Sequence, residues 1–177
     1  MHEERIDGEV VYDGRILRLE VDRVRLPSGR EVVREVVRHR GAAVVVPVDD
    51  DGRLLLVRQF RYPPGEMLLE LPAGKLDGGE GAIACAGREL QEETGMAAGD
   101  LVELGWFYTT PGFSDERIWV VLARNLKPVS GATLDPDEVQ EVVRLGLAEA
   151  LAHVADGRLR DGKTLAALLL ARVRGHL

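Results

Sequence analysis

The chain has 177 residues, 45% of them hydrophobic and 30% charged, with a formal net charge of −7. This suits one core-forming domain, with room for an appendage. An aromatic share of 5% argues against a stacking platform for single-stranded nucleic acid, and the negative charge argues against a nonspecific grip on DNA. Phosphate chemistry stays open, because a bound divalent cation supplies positive charge locally. No apolar run approaches the roughly 20 residues that span a bilayer. The start, Met1 to Arg5, does not read as a secretory signal, and the one cysteine, Cys85, fits a reducing compartment. The expectation is a cytoplasmic chain without membrane or nucleic-acid partners.

Residues 9–37 read as β-rich. Val10 to Tyr12 lead into an Asp13-Gly14 turn, and Leu17, Leu19 and Val21 then alternate with polar residues. After a Pro27-Ser28-Gly29 turn, Val32 to Val37 form a further strand. Residues 1–40 are therefore expected to be a small N-terminal β module, and residues 41–177 the main domain. Ala42–Val48 is a continuous apolar run suited to a buried strand. The Asp50-Asp51-Gly52 turn leads to a strand over Leu54–Phe60, and Met67–Leu71 is a shorter one.

A loop rich in glycine and acid precedes a predicted helix over Glu80–Thr94, with Ile83, Ala86 and Leu90 as its apolar stripe and Gly95 as its stop. Strands follow over Leu101–Tyr108 and Ile118–Ala123, joined through Pro111-Gly112. A long loop is expected from Asn125 to Asp137, then a last strand over Val139–Leu145. Helices over Ala148–Val154 and Thr164–Val173 complete the chain, the second capped by Asp161. Strands interleaved with a few helices predict an α/β (α+β) fold.

Several chemistries can be set aside. No serine sits in a G-x-S-x-G elbow, no two histidines lie at helical metal-site spacing, and there is no P-loop. The informative segment is the first helix. Glu89, Glu92 and Glu93 share one helix face, in the last turns before Gly95, where the helix dipole is already negative. Mutual repulsion and the dipole both disfavour this placement, yet hard oxygen ligands at this spacing suit Mg²⁺ or Mn²⁺. A solvated acidic helix end is the bland alternative.

The wider spacing separates the two. Gly74, Glu80 and the run Arg88-Glu89-Leu90-Gln91-Glu92-Glu93-Thr94-Gly95-Met96 fit G-x5-E-x7-R-E-U-x-E-E-x-G-U, with U apolar, at every specified position. Chance agreement is expected in fewer than about one window in 10⁸ at ordinary residue usage. The sequence thus resembles the Nudix hydrolases over most of residues 9–175.

The resemblance implies an α/β/α sandwich with a mixed sheet, an Mg²⁺ or Mn²⁺ cofactor, and hydrolysis of a nucleoside diphosphate linked to a second moiety. It further implies Glu89, Glu92, Glu93 and the Ala73 carbonyl as metal ligands. Arg88 would orient the carboxylates, and Glu80 would support them. Cys85 reads as a small helix residue rather than a nucleophile, having no basic partner nearby in sequence.

Leu69-Glu70-Leu71-Pro72-Ala73-Gly74, with Pro111 fifteen residues after Met96, is similar to the ADP-ribose pyrophosphatase branch. That branch implies AMP and ribose 5-phosphate as products, and a homodimer built through N-terminal strands. Ile16, Arg23 and Arg25 then lie in the region toward the adenine end. Arg61, Glu116 and Pro111 are the candidate substrate-binding residues. The general base is expected at Glu138, with Glu141 and Glu92 as alternatives. Another nucleoside diphosphate derivative as substrate (a dinucleoside polyphosphate, NADH or another nucleotide sugar) and a non-catalytic ligand-binding role are the competing readings.

Overall fold

A computed structural model describes residues 2–130 and 140–177. The chain forms two compact units, Met1–Gly41 with Phe107–Arg117, and Ala42–Trp106 with Ile118–Leu177.

The first unit is an antiparallel sheet of β1 (Glu4–Asp13), β2 (Arg18–Arg25) and β3 (Glu31–Arg38), in that order. Within these strands only Asp22 and Val24 are buried. Cross-strand ion pairs link the three strands. Arg5 donates to the buried Asp22 at 2.9 Å, Arg34 pairs with Glu3 at 2.8 Å, Arg23 pairs with Asp7, and Arg25 bridges Glu4 and Glu31. Such exposed pairs add little to stability, because water and salt screen them. Residues 107–117 are tied to the end of β3: the Val37 amide donates to the Phe113 carbonyl at 2.8 Å, and the His39 amide to Asp115 at 2.9 Å.

The second unit contains β4 (Ala42–Pro47), β5 (Arg53–Arg61), β6 (Glu66–Glu70), β7 (Ala73–Lys75), α1 (Ala82–Thr94), most of β8 (Met96–Tyr108) and of β9 (Arg117–Pro128), β10 (Gln140–Gly146), α2 (Leu147–Ala155) and α3 (Gly162–Val173). Two sheets run β7-β4-β9-β8 and β10-β5-β6. The first is mixed, since β4 runs parallel to β9 and antiparallel to β7. Every residue of β4 is buried, as its unbroken apolar run requires of a strand covered on both faces. Ala43 and Val45 pack with Val121 and Ala123 against Cys85, Ala86 and Leu90 of α1, and α3 also contacts β4. The architecture is mixed α+β, as expected.

β1 begins at Glu4, ahead of the β-rich stretch read from residue 9, and β7 stands where a loop was expected; three further differences have a local cause. α1 begins at Ala82 rather than Glu80, because Glu80 is held in a turn: its amide donates to the Asp77 carbonyl at 2.7 Å and its carboxylate accepts from the Asp77 amide at 3.2 Å. β8 begins at Met96 rather than Leu101, and β9 runs on to Pro128, shortening the loop expected from Asn125. The added start of β8, Met96 to Asp100, is Ala- and Gly-rich and carries little strand propensity of its own. Pairing supplies it: Asn125 bonds Asp100, and the Val129 amide reaches the Gly95 carbonyl at 2.9 Å. No helix among the described residues is long and apolar enough to cross a membrane.

Asp161 caps α3 as predicted, accepting from the Thr164 amide at 2.9 Å. Burial alone would raise its carboxyl, but the Lys163 charge and hydrogen bonds from Lys163 and Thr164 hold it below its ordinary value. A carboxyl depressed in the folded state adds stability above about pH 4, and that stability is lost as pH falls through the folded value. Asp161→Asn is therefore expected to lower Tm near neutrality, with the gap to wild type closing in acid. Thermal melts between about pH 7 and about pH 3 test this, and a gap independent of pH would contradict it.

Candidate active site

Ala73 and Gly74 pair with Val44 and Ala43 of β4, and α1 packs over the same strand. This brings the start of the motif against its helix. The helix ends as the sequence predicts: Gly95 is left-handed (φ 69°), and its amide donates to the Gln91 carbonyl at 2.9 Å.

Gly74 is required by close approach. A Cβ there would lie 1.8 Å from Glu89 Oε1, so the carboxylate occupies the space a side chain would fill. Glu93 is 6% exposed and accepts a hydrogen bond from the Ala73 amide at 3.2 Å. Arg88 gathers the remaining carboxylates. Its Nε and Nη2 donate to Glu80 at 3.1 and 3.0 Å, and its Nη1 donates to Glu89 at 2.6 Å and Glu92 at 2.9 Å. The Arg88 bond holds Glu80 below the usual carboxylate range, and Arg88 is itself held firmly protonated, chiefly by Glu80. Cys85 is buried, and desolvation, with the Glu80 and Glu89 charges, pushes its thiol up to about 12. A thiol held protonated at neutral pH is no nucleophile.

The donor set suits a hard cation: three carboxylates from one helix, with a main-chain carbonyl on the strand bonded to it. Among the described residues no three acidic, His or Cys side chains already converge on one point. Arg88 stands between them, so a divalent ion would have to draw Glu89 and Glu92 away from it. By their chemistry the residues present fit a hard divalent cation.

The structure distributes the other candidates as follows. Arg61, at the end of β5, gives Nε and Nη2 to the buried Glu70 at 2.8 and 2.7 Å, leaving Nη1 outside that pair. The Glu70 bond, and further off the Glu93 charge, raise its pKa. Glu141 pairs with Arg58 at 3.1 Å on the exposed side of β10. Glu138 lies outside the described residues. In the first unit, Pro111 sits in the turn closed by the Ser114 amide on the Thr110 carbonyl at 2.9 Å. Glu116 accepts from Thr109 Oγ1 at 2.7 Å and lies 3.3 Å from His39 Nδ1. Arg23 and Arg25 are engaged in the cross-strand ladder, and Ile16 is exposed.

Sequence reasoning missed a cavity of about 300 Å³ in this unit, where Arg15, Arg18, Arg38, His39 and Arg40 meet the Asp13–Leu17 turn. It also missed Glu70 and Lys163, whose pairing at 3.2 Å joins residues 93 apart. The density of arginine around residues 15–18 and 38–40 was the available signal for the first; nothing local marks the second.

Residues 37–168 match the NUDIX domain family, and residues 3–37 match the nucleoside diphosphate sugar hydrolase N-terminal domain. The chain belongs to the Nudix family, whose members of this type are hydrolases. It is 41% identical over 178 residues to an ADP-ribose pyrophosphatase of Bacillus subtilis (strain 168), covering 100% of this chain and 96% of that one. It is 40% identical over 167 residues to a methanol dehydrogenase activator of Bacillus methanolicus, covering 94% and 90%. A solved structure described as an ADP compounds hydrolase superposes with a TM-score of 0.85 at 26% identity, covering 100% of this chain and 98% of the other.

The Gly74 contact yields a separable outcome. The clashing atoms are the far end of a flexible side chain, so Gly74→Ala is expected to leave the melting temperature near wild type. Displacing Glu89 should nevertheless weaken Mn²⁺ binding by about 10–100-fold. Calorimetric titration beside a thermal melt checks both; unchanged affinity would remove Glu89 from the ligand set.

Proposed function

We propose that the chain hydrolyses the pyrophosphate of a nucleoside diphosphate sugar, with ADP-ribose as substrate and AMP and ribose 5-phosphate as products. The observation that carries this reading is the packing of Ala73 and Gly74 of β7 against Glu93 and Glu89, with Arg88 holding Glu89 and Glu92 beside them. The full-length similarity to an ADP-ribose pyrophosphatase supports the substrate class.

Glu89, Glu92, Glu93 and the Ala73 carbonyl would hold Mg²⁺ or Mn²⁺. Such an ion supplies charge neutralisation on the phosphates and lowers the pKa of water at the site. Arg88 keeps the carboxylates on one side of the helix, and Glu138 accepts the proton of the attacking water. Arg61 meets the substrate through the part of its fork that Glu70 leaves unused, and Glu116 and Pro111 are further substrate-binding residues. The arginine-lined cavity of the first unit supports binding of an anionic nucleotide. The exposed Val10, Val11, Tyr12 and Val33 of its sheet support homodimerisation through residues 1–40. The setting is the cytoplasm.

Hydrolysis of ADP-ribose, followed by separation of AMP and ribose 5-phosphate, is expected only with Mg²⁺ or Mn²⁺ and should vanish with a chelator. Glu93→Gln should lower turnover by about a hundredfold or more, as loss of a preorganised electrostatic group does. Full activity in excess chelator would overturn the metal reading. Preference for another nucleotide sugar in a substrate panel would overturn the ADP-ribose assignment alone.

The base is tested separately. Glu138→Gln keeps size and hydrogen bonding but cannot accept the proton, so kcat should fall by about 10²–10⁴-fold with KM and metal affinity little changed. Near-normal turnover there, with loss in Glu141→Gln or Glu92→Gln at intact metal affinity, would move the base to that residue.

A further inference from the structure

We infer that Thr164, with Lys163 beside it, is a positioning residue for the active site, fixing the Glu70–Ala73 segment from the start of α3. The inference rests on the metal-site reading proposed above, in which this segment ends at a ligating carbonyl.

Thr164 is fully buried, and its hydroxyl is used in both directions. It donates to Asp161 Oδ2 at 2.8 Å, which turns its lone pairs toward the Leu71 amide, also 2.8 Å away. Leu71 is 1% exposed, so no water replaces that acceptor. Capping alone explains the Asp161 bonds but not a bond to the link between β6 and β7, 93 residues earlier.

The neighbouring residues are held in the same way. Lys163 donates to Glu70 Oε2 at 3.2 Å, and Glu70 is otherwise satisfied by Arg61. The Val45 amide holds the Pro72 carbonyl at 2.8 Å, and Ala73 donates to Glu93. Pro72 has a fixed φ and no amide hydrogen, so a shift at Leu71 passes stiffly to Ala73. Two of the anchors of this segment therefore come from α3, which contributes none of the proposed ligands itself.

The test uses the full chain, prepared metal-free and titrated with Mn²⁺ by calorimetry well below every variant's Tm. Amide exchange at Leu71 and Ala73 is read in parallel. Thr164→Val keeps the shape but loses the acceptor, Thr164→Ser restores it, and Leu168→Ala destabilises α3 by leaving a cavity while keeping the Thr164 hydroxyl that accepts from Leu71. Thr164→Val is expected to weaken Mn²⁺ binding by about 10–100-fold and to speed exchange at both amides, with Thr164→Ser and Leu168→Ala near wild type. Wild-type affinity and Ala73 exchange in Thr164→Val would overturn the inference, as would an equal loss in Leu168→Ala. If Thr164→Val does not fold, Lys163→Met carries the same comparison, with weakened binding expected and wild-type binding decisive against. Failure of the wild-type chain to bind Mn²⁺ would overturn the metal-site reading instead, and the exchange arm would still decide whether Thr164 fixes Ala73.

Discussion

Arg88 holds together what the rest of α1 would drive apart. Three carboxylates occupy the last turns of a helix whose dipole is negative at that end, and a fourth, Glu80, lies just before its start. Three acids at the C-terminal end of a helix oppose one another and the dipole unless a fixed counter-charge stands among them. The guanidinium supplies it through donors to Glu80, Glu89, Glu92 and the Lys75 carbonyl. Because arginine stays protonated at any relevant pH, this does not depend on titration. It also bears on the proposed metal binding: a divalent ion would compete with bonds that Arg88 already makes to Glu89 and Glu92 rather than order loose side chains.

The site depends equally on β4. A strand buried on both faces cannot move without opening two layers of packing. Ala73 and Gly74 pair with it on one edge, Pro72 accepts from Val45, and α1 lies on its Ala43–Val45 face. The strand that carries the candidate carbonyl and the helix that carries the carboxylates are thus referenced to one rigid element. The narrow space over Gly74 follows from that: the separation is set by β4 packing, and only a residue without Cβ lets Glu89 lie there.

Much of this was legible in the sequence, for identifiable reasons. β4 and α1 announce themselves because burial on two faces and burial on one stripe leave different periods. Gly95 and Asp161 announce their helix ends because left-handed backbone and orphan amides each demand a particular residue type. The motif residues were legible because their chemistry is contiguous. The start of β8 was not, since Met96 to Asp100 become strand by pairing rather than propensity. The α3 contribution was invisible for a related reason. Its bond to Leu71 ends on a main-chain amide, which every residue but proline has, so nothing at residue 71 marks it. Arg61 shows the converse limit: the residue type suggests a free phosphate-binding fork, yet two of its donors are already committed to Glu70.

An acidic chain proposed to act on an acidic substrate raises an electrostatic question that the charge distribution answers. The net charge of −7 acts at long range, where salt screens it within about 8 Å at physiological ionic strength. Inside that distance the local sign matters more. In the first unit, most basic side chains of the strands are paired with carboxylates, and Arg18 and Arg38 are so paired even among the four arginines that line the cavity beside the Asp13–Leu17 turn, where Arg15 and Arg40 add to the basic side. In the second, the acidic cluster on α1 would become attractive to a diphosphate only once a divalent ion stands between them. The negative helix end therefore makes the proposed ion a precondition for substrate binding as well as for chemistry: without it the carboxylates repel the substrate they are placed to attack.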